Sequence, residues 1–187
     1  MSATRTLHGI DLPAPGVWEI DPSHAEVAFI GRHLMLAKVR GRFTGVSGAL
    51  TIADDPTESR LDVTIDMASV DSGDQARDDS LRSPDLFDVE NHPVATFRST
   101  GVTRTGTTGT VTGDLTIRGV TRPVTLEVEY LGHARDPWGN DRVGFSAHAT
   151  INREDWGLTW NMILEGGGVG VSKEIRLEIE VEAVRAG

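Results

Sequence analysis

Apolar and polar residues alternate along much of this chain, most clearly near its C-terminus. There, Ile175, Leu177, Ile179 and Val181 fall on one side of the segment, while the residues between them are Arg or Glu. A period of two predicts a β-strand with one buried face and one face in water. The same alternation recurs in residues 25–29, 61–67, 124–130 and 143–151.

Turn residues separate the alternating segments. Pro, Gly or Asp occur at residues 54–56, 118–123 and 136–140, where they favour chain reversal. Residues 72–88 break the alternation, and we expect Ser72 to cap a short helix that Pro84 ends. The pattern predicts an all-β fold, a single antiparallel barrel of eight strands with one or two short helices, the main one between the third and fourth strands.

The barrel interior has two interpretations. A closed eight-stranded barrel buries its apolar face with side chains or around one small ligand. The predicted inward positions are mostly aliphatic, with four Phe and several Ala and Gly that leave room. Small residues also let strands curve and pack closely. The alternation therefore leaves a filled barrel and a hollow one equally open.

Composition restricts the classes of function. The formal net charge is −10, and residues 54–90 carry twelve acidic residues against three arginines. Nucleic acid is a poor partner for such a chain because phosphate binding needs clustered cations, and docking of this segment on an anionic membrane is disfavoured. Cys is absent, which excludes disulfides and thiolate sites.

Two further features concern location. No apolar run approaches the ~20 residues that a membrane helix needs. The first residues of the chain lack the apolar core of a secretory signal. We therefore expect a cytoplasmic protein with no stable membrane insertion.

Five motifs in sequence order identify a family resemblance. They are residues 18–29 with His33, residues 41–43, residues 81–88 with His92, Pro93 and Phe97, residues 113–124, and residues 151–157. In these motifs the chain resembles the YceI-like family, polyisoprenoid-binding proteins with a lipocalin-like barrel. The resemblance runs from about residue 16 to residue 184, which divides the chain into a partly extended N-terminal leader, residues 1–15, and a barrel domain, residues 16–187.

The resemblance implies a binding protein, not an enzyme. It implies binding, storage or transport of a long-chain apolar amphiphile, such as an isoprenoid, an isoprenoid quinone or a fatty-acid-like lipid. The alternative is a filled barrel that acts as a stress-linked protein-interaction module without a ligand. No resident cofactor is expected, and a homodimer is left open.

The ligand chain is expected among nine apolar residues. They are Val27, Phe29, Phe43, Ile65, Leu81, Phe87, Phe97, Phe145 and Trp156. His24 and Arg32 are the candidates for its polar end. Ser80 stands where the family often has His, and Lys173 where it often has an acid, so head-group preference would differ if either residue contacts the ligand.

The residue pattern gives little support for a metal site or a hydrolytic site. His24 and His33 lie on one predicted strand without a third ligand, so no metal site is expected. Ser23, His24 and Asp21 are the residue types of a hydrolytic triad, but neighbours on a strand point apart, which predicts that they do not assemble.

The four Trp residues, at 18, 138, 156 and 160, are predicted either to rim the barrel mouth or to plug its end. Residues 158–164, followed by three Gly at 166–168, predict a lid over the cavity or a bulge before the last strand.

Overall fold

The computed structural model describes residues 2–161 and 170–187. Its α-helix, α1, spans Gln75–Arg82, and short 3₁₀ turns cover Pro56–Glu58, Met67–Ser69 and Arg153–Trp156. The strands are β1 (Thr4–Leu7), β2 (Ile10–Pro13), β3 (Gly16–His33), β4 (Ala37–Phe43), β5 (Val46–Ile52), β6 (Arg60–Asp66), β7 (Val70–Asp71), β8 (Val94–Thr105), β9 (Thr108–Ile117), β10 (Val120–Arg135), β11 (Asp141–Asn152) and β12 (Glu174–Arg185).

Eight strand positions form a closed antiparallel ring. Strand β12 pairs with β11 on one side and with β3 on the other, which closes the sheet. Strands β4 and β5 pair with successive parts of β3, so together they form the second position of the ring. Strand β7 pairs with β4 and β6 pairs with β5, so together they form the third. Strands β8 to β11 complete the ring. The predicted single eight-stranded barrel is confirmed, with α1 between its third and fourth positions.

The predicted alternation of the last strand is confirmed. Leu177, Ile179 and Val181 of β12 line the barrel interior. Glu178 and Glu180 point outward, where Glu178 accepts a hydrogen bond from Arg40 at 2.9 Å. One face of the strand is therefore apolar and the other is hydrated, as the period of two requires.

The cap of α1 differs from the expectation. Asp74, not Ser72, caps the helix, because its Oδ1 accepts from the backbone N–H of Arg77 at 2.8 Å. The Ser72 hydroxyl instead donates to the buried carboxylate of Asp78 at 2.6 Å. Ser and Asp side chains both accept hydrogen bonds from the first N–H groups of a helix, so residue type alone does not decide between Ser72 and Asp74. The helix ends at Arg82, two residues before Pro84, as expected.

The N-terminal leader is an ordered hairpin of β1 and β2. Ala3, Leu12 and Ala14 are buried, and the Trp18 indole N–H donates to the Ala14 carbonyl at 3.0 Å. The guanidinium of Arg5 donates to the backbone carbonyls of residues 53 and 54, each at 2.6 Å. The hairpin is thereby fastened over one end of the barrel.

A bulge in β3 interrupts the seam where the barrel closes. Residues 21–24 of β3 stand opposite Glu182 alone in β12. Arg142, on β11, donates to Asp21 at 2.7 Å, to Asp136 at 2.8 Å and to Glu182 at 3.3 Å. This one guanidinium thus joins the bulge, the β10–β11 turn and the last strand. It holds the pKa of the Asp21 carboxyl well below its usual range.

Within residues 2–161 and 170–187, no helix has the length and apolar character of a membrane-spanning segment.

Candidate ligand cavity in the barrel

Two cavities lie end to end inside the barrel. The smaller, of about 220 Å³, extends towards the N-terminal hairpin, and the larger, of about 460 Å³, extends towards α1. Four residues line both: Val27, Ile65, Leu115 and Leu177. We call this ring of four the waist. The interior is hollow, which decides between the two interpretations that the alternation left open.

The cavity walls are almost wholly apolar. Branched aliphatic side chains from every part of the ring face inward. Six arginines also contribute, but no Asp or Glu does so among the described residues. Arg side chains can line an apolar wall with their methylene stems. The guanidinium of one of the six, Arg153, is itself buried and donates to backbone carbonyls.

All nine residues predicted for the ligand chain lie in these walls. Val27 and Ile65 belong to the waist. Phe97 and Phe145 line the smaller cavity. The larger cavity is lined by Phe29, Phe43, Leu81, Phe87 and Trp156. Their contact with a ligand stays a prediction.

Three Phe form an aromatic cluster in the larger cavity. The Phe29 and Phe43 ring centroids are 5.5 Å apart, and Phe87 lies 6.5 Å from Phe29 and 5.6 Å from Phe43. Phe29 pairs across the strands with Gly41, and a Cβ at residue 41 would overlap its ring. The cluster therefore depends on a glycine in the neighbouring strand.

The waist is braced by a buried Trp. Trp156 is 2% exposed, and its indole N–H donates to the Leu115 carbonyl at 2.9 Å. Since the polar atom of the indole is satisfied by backbone, its ring remains available as apolar wall. This Trp is therefore part of the cavity and not of its rim.

Arg153 organises the outer end of the larger cavity. The residue is 7% exposed, and its guanidinium donates to the carbonyls of Leu158 at 2.6 Å, Trp160 at 2.9 Å and Ser172 at 3.0 Å. Burial lowers the pKa of this guanidinium, an effect that Glu154 partly opposes. Sequence reasoning placed Arg153 inside a family motif but gave it no role. A buried arginine that donates to three backbone carbonyls produces no periodic pattern in the sequence, so alternation does not reveal this role.

The two candidates for the polar end lie apart. Arg32 lines the larger cavity and donates to the Leu36 carbonyl at 2.8 Å. His24 lies in the seam bulge, its side chain is 56% exposed, and it lines neither cavity. The structure therefore does not bring His24 to the ligand space, because the bulge turns it outward.

The expectation that Ser23, His24 and Asp21 point apart is wrong. Nδ1 of His24 lies 3.0 Å from Asp21 Oδ2 and 3.1 Å from Ser23 Oγ, because the bulge departs from strand geometry. Both contacts use the same ring nitrogen. A hydrolytic triad needs the acid on one nitrogen and the nucleophile on the other, so this arrangement is not a triad.

Two of the four Trp residues, Trp18 and Trp160, take the predicted roles. Trp18 is fully buried beside the hairpin, as an end plug requires, and Trp138 is 81% exposed on a turn. Trp160 lines the larger cavity and is half exposed, which suits a rim. The predicted lid at 158–164 and its glycines at 166–168 fall largely on residues 162–169, outside the described residues. Of its described part, Leu158 packs into the core.

Residues 18–183 match the family model described as the YceI-like domain. The chain belongs to the YceI-like family. A UPF0312 protein of Pectobacterium carotovorum subsp. carotovorum is 38% identical over 178 residues, which cover 95% of this chain and 90% of that relative. The N-terminal hairpin precedes the residues that the family model matches.

Solved structures share the same barrel. A YceI protein of Campylobacter jejuni is 33% identical, with a TM-score of 0.71 over 83% of this chain and 90% of that one. A polyisoprenoid-binding domain from Saccharophagus degradans, implicated in plant cell wall breakdown, is 17% identical, with a TM-score of 0.64 over 90% of this chain and 98% of that one. At that identity the second likeness shows the fold alone.

The two departures from the usual YceI-like pattern lie in different places. Ser80, on α1, lines the larger cavity. Lys173 is exposed and lies 3.6 Å from Glu154, and it lines neither cavity. Of the two residues, only Ser80 lines a cavity.

The histidines of β3 do not converge. His24 lies in the seam bulge and His33 at the far end of the strand, beside the larger cavity. Nine residues of strand span roughly 30 Å. No group of three metal-ligating side chains occurs in residues 2–161 and 170–187 of this YceI-like barrel.

Proposed function

We propose that this protein binds one long-chain amphiphile of the isoprenoid type, with its hydrocarbon chain threaded through the waist and lying in both cavities. The observation that supports this most directly is the pair of apolar cavities that share the four residues of the waist. The larger cavity alone falls within the ~300–1,000 Å³ typical of small-molecule sites.

The shape and chemistry of the space favour an extended hydrocarbon. Two cavities that lie end to end and share four lining residues suit a long, narrow ligand better than a compact one. Each CH₂ transferred from water to such a wall contributes about 0.8 kcal/mol, so affinity grows with chain length and needs no polar contacts. The absence of acidic residues from the described walls favours a neutral or anionic polar end over a cationic one.

Family relationship supports the same class of ligand. The domain from Saccharophagus degradans that shares this fold is named for polyisoprenoid binding. The fold alone does not carry function, so the inference depends on the apolar walls described above.

Binding is favoured over catalysis by the nature of those walls. A hydrolase requires convergent nucleophile, base and acid groups beside the substrate. The described residues that combine such groups, Asp21, Ser23 and His24, lie in the seam and line neither cavity. We therefore propose a role in holding or carrying the ligand unchanged.

The test is native mass spectrometry of the delipidated protein mixed with polyprenols of graded length. We expect one polyprenol per chain, with retention that increases with length and then levels off. No uptake at any length would contradict the proposal.

A matched pair of variants locates the binding. Val27→Phe narrows the waist, and we expect it to shift the preference towards shorter polyprenols. Val94→Phe makes the same change at a half-exposed position outside both cavities, and its length preference should equal that of the unmodified protein. Identical profiles for both variants would contradict passage through the waist.

A further inference from the structure

Exposed apolar side chains gather at the outer end of the larger cavity. Nine large apolar residues are exposed in the described parts of the chain, and five of them lie here. Three form the β3–β4 turn, and the other two line the cavity mouth: Leu34, Met35, Leu36, Trp160 and Val171. We call these five the apolar tip.

Backbone contacts hold the apolar tip together. Val171 forms a bridge with His33 at the end of β3, and the backbone N–H of Leu34 donates to the Gly170 carbonyl at 2.9 Å. The Asn161 side chain, next to Trp160, bonds to both backbone groups of Val171, at 2.7 and 3.0 Å. The turn and the cavity mouth are therefore one surface.

The β3–β4 turn has a conformation that its residues do not favour. Leu36 N–H donates to the His33 carbonyl at 2.9 Å, and the two central residues, Leu34 and Met35, have φ of 53° and 57°. Two central residues with positive φ define a turn that strongly prefers Asn-Gly. Large apolar residues there cost stability, and such strain concentrates at functional positions.

Cations flank the turn. Arg32 and Lys38 face each other across β3 and β4, and neither makes an ion pair with any described residue. Among the described residues, no Asp or Glu lies within 4.0 Å of the charged groups of Arg32 or Lys38. A chain of net charge −10 thus presents, beside an exposed apolar turn, two cations that form no ion pair with a described residue.

We propose that the apolar tip docks reversibly on the surface of a phospholipid bilayer. Leu34, Met35 and Leu36 enter the boundary between head groups and acyl chains, while Arg32 and Lys38 meet the lipid phosphates. Apolar side chains bordered by cations are the usual composition of such surface-seeking segments. A second copy of the chain fits less well, because a symmetric contact through this surface would bring the cations of the two copies together.

Docking here would place the cavity mouth against the membrane. A long isoprenoid would then move between bilayer and barrel without crossing water. Crossing water would expose the chain at a cost of about 0.8 kcal/mol for each CH₂. This consequence rests on the proposed function, whereas docking itself does not.

The test is flotation with vesicles of phosphatidylcholine alone and of phosphatidylcholine with phosphatidylglycerol. The diagnostic variant is Leu34→Asn with Met35→Gly, which removes two apolar side chains and supplies the pair that the turn prefers, so it should fold at least as well. The control is Leu131→Asn with Trp138→Gly, which removes two exposed apolar side chains near the opposite end of the barrel.

We expect the unmodified protein and the control to float, more strongly with phosphatidylglycerol. The diagnostic variant should bind at least about tenfold less, because even partial burial of two apolar side chains at an interface contributes that factor. Equal flotation of the two variants, or no flotation of the unmodified protein, overturns the proposal. Sedimentation that shows a dimer in the unmodified protein and a monomer in the diagnostic variant, without vesicle binding, also overturns it and assigns the surface to a second copy.

A transfer measurement separates this proposal from the proposed function. The rate of polyprenol transfer from donor vesicles should fall about tenfold in the diagnostic variant, while loading from detergent solution stays unchanged. If the protein floats but takes up polyprenol from neither source, docking stands and the proposed function fails. If transfer is equally fast in both variants, the proposed role of the tip in exchange is wrong.

Discussion

Gly41 shows how one residue shapes the cavity wall. The Phe29 ring lies over it from the neighbouring strand, in the space that a Cβ would fill. We predict that Gly41→Ala displaces the Phe29 ring and lowers the free energy of unfolding by about 1–3 kcal/mol, the usual cost of overpacking. Urea unfolding measures it.

The control for that substitution is Gly101→Ala. A Cβ at residue 101, also in a strand, would meet no atom within 4 Å. We expect the free energy of unfolding to change by less than about 1 kcal/mol. Equal losses in the two variants would show that backbone conformation, not the Phe29 contact, requires glycine at residue 41.

Asp136 predicts a pH dependence of stability. Burial raises its pKa, but hydrogen bonds from Arg142, Asn140 and the backbone of Trp138 outweigh burial and lower the pKa to about 2. A group with a depressed folded pKa stabilises the protein above its unfolded value, about 3.9, and this contribution is lost as the pH falls towards 2.

We therefore expect Asp136→Asn to be less stable at neutral pH and to show a flatter loss of stability between about pH 4 and pH 2. Urea unfolding across this range measures both. The control is Asp62→Asn, which removes the carboxylate of an exposed ion pair with Arg98. We expect it to change the free energy of unfolding little at any pH in this range. An unchanged pH profile for Asp136→Asn would contradict the role assigned to the Arg142 cluster.

For single residues, the sequence predicted the apolar cavity wall better than the polar contacts. Phe97 and Ile65 face inward because alternation alone decides their side of the strand. The position of His24 depends on a bulge, which inserts residues and turns side chains away from strict alternation. The role of Arg153 depends on the backbone carbonyls of Leu158, Trp160 and Ser172. No feature of the sequence marks these carbonyls as its partners.

Among the elements, the described residues that follow β11 are held by one side chain, Arg153. Arg153 holds the chain at Leu158, Trp160 and Ser172 together through a planar, multidentate donor. We predict that Arg153→Lys lowers the free energy of unfolding by about 1–3 kcal/mol, because a point-like ammonium leaves buried carbonyls without a donor.

The matched control is Arg176→Lys, an exposed arginine on β12 paired with Glu178. We expect a change within about 0.5 kcal/mol there. Urea unfolding monitored by Trp fluorescence reports both variants. If Arg153→Lys is as mild as the control, the guanidinium does not organise the mouth.

Element types were predictable where one face is buried, and less so at their ends. The strands follow from alternation, and α1 from its interruption. The helix cap was predicted at Ser72 but is Asp74, because the side chains of both residue types can accept from the first N–H groups of a helix. The hairpin of β1 and β2 was foreseen only as a partly extended leader, since its burial depends on the barrel end that it covers.

The whole molecule should gain stability from its ligand. A ligand that binds the folded state alone adds about 2.7 kcal/mol at a free concentration one hundred times its Kd. For a domain of this size we predict a rise in Tm of roughly 5–10 °C on loading with a long polyprenol. Calorimetry of loaded and delipidated protein measures the shift, and an unchanged Tm at saturation would contradict internal binding.

The barrel and its family were predictable from the sequence. The family resemblance favoured a hollow interior, which the alternation of residues alone could not establish. Small inward residues serve a packed barrel and an empty one equally well, and only the closed ring fixes how much volume remains. The waist, formed by residues from β3, β6, β9 and β12, likewise requires the register of the sheet.

The most direct test of the central claim is a crystal structure of the protein loaded with a long polyprenol. We predict one continuous ligand that passes between Val27, Ile65, Leu115 and Leu177 and occupies both cavities. A ligand confined to one cavity, or bound outside the barrel while the waist stays closed, would contradict it.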